Sequence, residues 1–190
     1  MSPGDARFPI LGFAAFSGTG KTTLLRRMLP LLKAHGLRVG LVKHAHHDFD
    51  TDIPGKDSYE LRKAGAVQML VASRRRRALV TETEDGHEPR LDELLRHLDP
   101  DSLDLVLVEG FKAEPFPKIE LHRPSLGHPL LCLADRSIVA VATDAPLPIE
   151  PGVPRLDLNR PTEIVEFILR TLNVAQPVPP RRSRAGGTAS

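Results

Sequence analysis

Pro9-Ile-Leu-Gly-Phe-Ala-Ala-Phe16 leads directly into Ser17-Gly-Thr-Gly-Lys-Thr-Thr23, and that junction decides the fold. A short apolar run entering a glycine-rich segment reads as a buried strand followed by a turn. The turn closes on Gly-Lys-Thr, the end of the Walker A pattern, whose glycines let consecutive backbone N–H groups wrap a nucleotide's phosphates. Ser17, Gly18, Thr19, Gly20, Lys21, Thr22 and Thr23 are therefore candidate nucleotide-binding residues. In this reading Lys21 reaches the β- and γ-phosphates and Thr22 offers its hydroxyl to Mg2+, at the positive end of the helix that starts there. Ala15 stands where the pattern has its first glycine, which demands an ordinary φ at that point.

Working outward, Leu24, Leu25, Met28, Leu29 and Leu32 share one helical face, which predicts a helix from Lys21 to His35 with Gly36 as its C-terminal cap. Leu37 to Lys43 reads as a second strand, and His44 to Lys56, without periodicity, as a loop over the strand ends. Asp57-Ser-Tyr-Glu60 has capping-box spacing, with Asp57 as the cap of a helix to about Ala64. Val67 to Ala72 and Ala78 to Thr83 are short strand candidates. An amphipathic helix is expected over Leu91 to Leu98, and strands over Leu103 to Val108, Pro117 to Leu121 and Ser137 to Thr143. A final helix from Pro161 to Leu172 would present Ile164, Val165, Ile168 and Leu172 on one face. Strands alternating with helices predict an α/β protein with a mainly parallel central sheet.

The 190 residues suit one domain, with 41% hydrophobic and 26% charged residues as in an ordinary globular chain. The basic residues exceed the acidic ones by two, but Arg181, Arg182 and Arg184 lie near the C-terminus, and without them acids exceed bases by one. The charge balance thus gives no argument for nucleic acid as a partner. No apolar run approaches the ~20 residues of a membrane helix, no secretory signal opens the chain, and Cys132 has no second cysteine to pair with, so a cytoplasmic protein is expected. From Gln176 onward, Pro, Arg, Gly and Ser predominate, the composition of a disordered tail.

A second element of a phosphate site should come from another strand end on the same edge of the sheet. Glu109, closing Leu103-Asp-Leu-Val-Leu-Val108, fits a Walker B acid acting on Mg2+ or on the attacking water; the competing reading is a solvated carboxylate. Asp104 begins the same strand, too far from its end to substitute. Lys43 and His44 end a strand on the ligand side and are candidate phosphate contacts. His44, His46, His47, Asp48, Asp50 and Asp52 could bind a metal, contact a phosphate or partner, or simply be solvated, and their spacing matches no established zinc pattern. Arg74-Arg-Arg-Arg77 is either a solvated turn or a contact for phosphate, pterin or an acidic partner. Cys132 reads as core rather than as a nucleophile. Asp144, following Ile138-Val-Ala-Val-Ala-Thr143, could accept from guanine N1–H and N2–H2 or could only form a turn before Ala-Pro.

Four motifs in order carry a resemblance: Phe16-Ser-Gly-Thr-Gly-Lys-Thr-Thr-Leu24; Gly40-Leu-Val-Lys-His44 with His47-Asp48; Pro54-Gly-Lys-Asp-Ser-Tyr-Glu-Leu-Arg-Lys-Ala-Gly-Ala66; and Leu107-Val-Glu-Gly-Phe-Lys112. Together, from about Leu11 to Leu172, the chain resembles the molybdopterin-guanine dinucleotide biosynthesis adaptor (MobB) family. That family tolerates small residues at the Ala15 position. The resemblance implies a P-loop NTPase-like three-layer sandwich at residues 9–173, between a lead at 1–8 and a tail at 174–190. It further implies a GTP-binding homodimer with weak Mg2+-dependent GTPase activity, for which Glu109 and Lys112 are the catalytic candidates. Such a protein would assist the MobA-type molybdenum cofactor guanylyltransferase that joins GMP from GTP to molybdopterin, with molybdopterin itself a further possible ligand. A P-loop small-molecule kinase, with the arginine run as its lid, is the competing reading.

Overall fold

A computed structural model describes residues 8–45, 49–83 and 87–174. The tail expected from Gln176, together with His46, His47 and Asp48, lies outside the described residues. The chain divides into two compact units, one drawn from Met1–His44 and Arg90–Ser190, the other from Ala45–Pro89.

The first unit is built on six strands: β1 (Ile10–Ala14), β2 (Val39–Lys43), β5 (Leu105–Glu109), β6 (Lys118–His122), β7 (Ile138–Thr143) and β8 (Arg155–Asp157). They form one sheet in the order β2-β5-β1-β6-β7-β8, and every pairing is parallel. The short edge strand β8 carries no apolar alternation, so the sequence pattern did not reveal it. Strand β1 is buried along its whole length because both faces of a parallel sheet are covered.

One face packs on helices α1 (Lys21–Ala34) and α4 (Pro161–Thr171). Leu24, Leu25, Met28 and Leu32 from α1 and Ile164, Val165 and Ile168 from α4 meet Leu11, Phe13, Leu107, Ile119 and Leu121 of the sheet. Each such side chain contributes about 1.5–3 kcal/mol by leaving water. Leu29 and Leu172, expected on the same faces, are only partly buried. As expected, Gly36 ends α1: its N–H donates to the Lys33 carbonyl (2.9 Å) and the Leu37 N–H to the Leu32 carbonyl (3.2 Å), a Schellman closure.

The opposite face is covered by the short helix α3 (Leu91–Leu95) and by irregular segments. The helix expected to Leu98 thus stops at Leu95. On this face β6 presents Lys118, Glu120 and His122, all buried. Where no helix packs, Lys118 and Glu120 satisfy loop groups instead. Lys118 Nζ donates to the Lys112 carbonyl (2.9 Å), Asp135 Oδ2 (2.8 Å) and Ser137 Oγ (2.7 Å). Burial pushes Asp135 up, but the Lys118 and Ser137 hydrogen bonds outweigh it and hold the carboxyl below its ordinary value. Glu120 accepts from the Leu131 and Cys132 N–H groups, each at 2.8 Å. Leu131–Leu133 is accordingly a single 3-10 turn, with Cys132, expected in the core, only half-buried and Leu133 exposed.

The second unit holds α2 (Asp57–Lys63) and a two-stranded antiparallel sheet of β3 (Gln68–Ala72) and β4 (Arg77–Thr81). These two strands pair with each other rather than joining the central sheet, and Arg74 to Arg76 form their turn. Asp57 is not a cap: Lys56 occupies that position, and Asp57 is the first helical residue. Instead Asp52 accepts from Ser58 Oγ at 3.0 Å. Arg62, buried, donates to Asp50 (2.6 Å) and to Glu82, and its hydrogen bond holds the Asp50 carboxyl below the ordinary carboxylate value.

Candidate nucleotide site

Strand β1 lies where the chain's connections diverge, to β5 and β2 on one side and to β6, β7 and β8 on the other. In an open α/β sheet that divergence leaves a crevice beyond the strand ends. The segment from Ala15 to Gly20 occupies it and runs into α1. Gly18 and Gly20 take φ of 80° and 94°, a region closed to most side chains, whereas Ala15, buried, is absent from the positive-φ residues, as its side chain requires. The Thr19 hydroxyl, buried, donates back to the Phe16 carbonyl at 2.8 Å and closes the loop. Helix α1 has no side-chain cap and no acid in its first turn, so its terminal N–H groups and positive dipole end face the crevice unneutralised. Ser17, Thr22 and Thr23 are exposed there.

Strand alternation brings the other candidates to the same side. Glu109 shares the parity of Leu105 and Leu107, which face α1, and β2 sets Lys43 opposite Glu109 in register. Lys21 Nζ lies 3.4 Å from the Ala15 carbonyl. Burial pushes the Lys21 ammonium below its ordinary value; Glu109 opposes the shift, while Lys112 and Lys43 add to it. Lys21 therefore feels three other predicted residues, one carboxylate from Glu109 and two cations from Lys43 and Lys112. Asp104 is excluded from it: the Arg38 hydrogen bond at the opposite end of β5 holds its carboxyl below the ordinary range.

The segment after Glu109 is shaped by contact. A β-carbon on Gly110 would stand 2.5 Å from that of His44, so only glycine fits. Phe111 then adopts φ of 52°, costing of order 1–3 kcal/mol, and is held by burial and by stacking on the His44 ring at 5.0 Å. His44 is thereby placed against the strand-end segment, its N–H donating to the Glu109 carbonyl at 2.8 Å. Lys112 Nζ lies 5.4 Å from the Phe16 ring centre, and His128 stacks on the same ring at 4.3 Å. His128 and Phe16 had no local motif to mark them as neighbours.

Asp144 follows β7, and its carboxylate pairs with Arg123, a residue the sequence pattern did not single out. Arg123 is 104 positions from Thr19 in the chain yet donates to its carbonyl at 2.9 Å. No group of three or more metal-ligating side chains occurs among the described residues.

A parallel sheet with this order and a glycine-rich loop at the mouth of its central strand defines the P-loop NTPase-like class of α/β protein. The family model of molybdopterin guanine dinucleotide synthesis protein B, MobB, matches residues 10–144, and the chain belongs to that family. It is 52% identical over 167 residues to the molybdopterin-guanine dinucleotide biosynthesis adapter protein of Escherichia coli K12, covering 87% of this chain and 94% of the relative. The Haemophilus influenzae protein of the same name is 44% identical over 162 residues, covering 85% and 88%. A crystal structure of molybdopterin-guanine biosynthesis protein B aligns with a TM-score of 0.68 at 29% identity, covering 86% of this chain and 99% of that one. Bacillus subtilis MobB aligns with a TM-score of 0.66 at 29% identity, covering 87% and 98%.

Proposed function

We propose that the protein is a GTP-binding adaptor that assists attachment of GMP to molybdopterin by the partner guanylyltransferase, with weak Mg2+-dependent GTPase activity of its own. The observation that carries the nucleotide reading is the uncapped, acid-free start of α1 behind the Gly18 to Lys21 loop, whose N–H groups and positive dipole end suit an anion. Two glycines at positive φ and an open flank at Gly18 fit a polyphosphate in the loop. Ser17 to Thr23 bind the phosphates, with Lys21 on the β- and γ-oxygens and Lys43 and His44 at the rim. The exposed Thr22 hydroxyl and the Glu109 carboxylate are the oxygens suited to Mg2+, which when bound neutralises phosphate charge. Glu109 also orients water, and Lys112 adds positive charge beside the terminal phosphate. Asp144 is the proposed reader of guanine, its carboxylate shared between the base and Arg123.

The homodimer is proposed on the second unit. Among the described residues strands β3 and β4 have no third strand beside them, and Leu70, Val71 and Leu79 are 63%, 48% and 53% exposed. A lone hairpin with apolar residues outward is marginal in water and pairs readily with another chain. A cytoplasmic location goes with this reading; among the described residues no helix is long and apolar enough to cross a membrane. Calorimetric titration with GTP, ATP and molybdopterin, followed by separation of GDP from any phosphorylated acceptor, tests the proposal. Saturable GTP binding with slow release of GDP supports it; transfer to an acceptor would establish the kinase instead.

A further inference from the structure

The loop's main chain is held from outside the motif by one side chain. Arg123 follows β6, and its Nε donates to the Thr19 carbonyl at 2.9 Å. Its Nη1 donates to the Asp144 carboxylate after β7, and its Nη2 lies 3.6 Å from the point where a β-carbon on Gly20 would stand. Lys118, Glu120 and His122, which precede it on β6, are buried, so the strand that carries it is fixed.

The Thr19 carbonyl and the Gly20 N–H belong to one planar unit and, with no cis bonds among the described residues, point to opposite sides of it. Fixing the carbonyl on the Arg123 side therefore fixes the Gly20 N–H on the other. Gly20 has φ of 94° and no β-carbon, so nothing intrinsic to the residue would hold that peptide in place. A guanidinium can do so because its rigid fork binds a carbonyl and a carboxylate at once.

We propose that Arg123, anchored by Asp144, is a positioning residue that sets the direction of the Thr19–Gly20 peptide and so organises the loop for phosphate. The proposal rests on the nucleotide-binding reading and adds to it a link from the ends of β6 and β7 to the phosphates. It is separate from any reading of the base, because it acts on the phosphate loop alone. Tripolyphosphate, which has no base, distinguishes the two roles.

The test measures affinity for GTP, ATP and tripolyphosphate in the wild type, Arg123→Met, Asp144→Asn and the double variant, with Lys21→Ala as control and the ligand-free thermal midpoint recorded for each. Each single change should weaken tripolyphosphate by about tenfold, the loss of one charge-assisted hydrogen bond, with any extra loss of GTP in Asp144→Asn belonging to the base. For tripolyphosphate the double variant should be no weaker than Arg123→Met, since the two residues form one unit. Arg123→Lys, which keeps the charge but lacks the fork, should also lose affinity, and it carries the test if Arg123→Met does not fold. Unchanged tripolyphosphate affinity in folded Arg123 variants overturns the proposal, as does an Asp144→Asn effect confined to GTP or tripolyphosphate losses that simply multiply in the double variant. A wild type that binds none of the three ligands would instead remove the nucleotide reading itself.

Discussion

Lys21 sits between two opposed influences, burial that disfavours its charge and Glu109 that favours it, with Lys43 and Lys112 siding with burial. An arriving phosphate reverses that balance by supplying the missing negative charge. Lys21→Ala should therefore weaken GTP by about 10- to 100-fold, the ~1.5–3 kcal/mol of a charge-assisted contact, while leaving the thermal midpoint close to that of the wild type. The pH dependence follows from the direction of the shift. The free lysine's pKa is below 10.5 and bound phosphate raises it, so affinity should stay level near pH 7 and fall as pH rises through the lowered value, with proton uptake on binding. Titrations across pH 7 to about 10 in buffers of different ionisation enthalpy read this directly; an equal fall in Lys21→Arg would assign the titration to another group. Glu109→Gln removes charge without changing size. It should leave nucleotide affinity within a few-fold and slow Mg2+-dependent GDP release by about 10²-fold, measured in single turnover.

At the scale of the element, β6 is the unusual strand. Its inner face carries Lys118, Glu120 and His122 where a buried strand ordinarily carries aliphatic residues. Lys118 and Glu120 replace a packed helix with hydrogen bonds to loops, and the arrangement works only while each bond is made. Glu120→Ala would orphan the Leu131 and Cys132 amides and should cost about 2–4 kcal/mol in urea unfolding, with Glu120→Gln, which retains one acceptor, losing less. The same strand governs Cys132. Burial, joined by the Glu120 charge and hydrogen bond, pushes its thiol up to about 11, so alkylation at pH 8 should be slow in the wild type and faster in Glu120→Ala. Lys118 also reaches the Lys112 carbonyl, so this face of β6 supports the segment that carries Lys112 toward Phe16.

For the whole molecule, an adaptor should stimulate its partner only in the nucleotide-bound state. Added to the guanylyltransferase, molybdopterin and GTP, the protein should raise the yield of guanine dinucleotide cofactor, make none alone, and lose the effect in Lys21→Ala. Product without the transferase, or stimulation that survives Lys21→Ala, would remove that reading. The elements and motifs this rests on were legible in the chain because they are local: the strand into Ser17 to Thr23, the faces of α1 and α4, Gly36 as a cap and Glu109 at a strand end are set by periodicity and turn chemistry within a few residues. Local pattern also misled where partners were distant. Asp57 had capping spacing but Lys56 took the cap position, Cys132 read as core but is half-buried in a turn held by Glu120, and β3 and β4 looked like further sheet strands but paired with each other. The sequence by itself determined the class of sheet and the glycine-rich loop before α1, since covalent neighbours dictate backbone preference. Only the tertiary structure decided that Arg123 grips Thr19 and Asp144, that His128 covers Phe16, and that Lys43, Glu109 and Lys112 surround Lys21. These partners come from different strands and loops, and the parallel order β2-β5-β1-β6-β7 is what brings their ends to one edge.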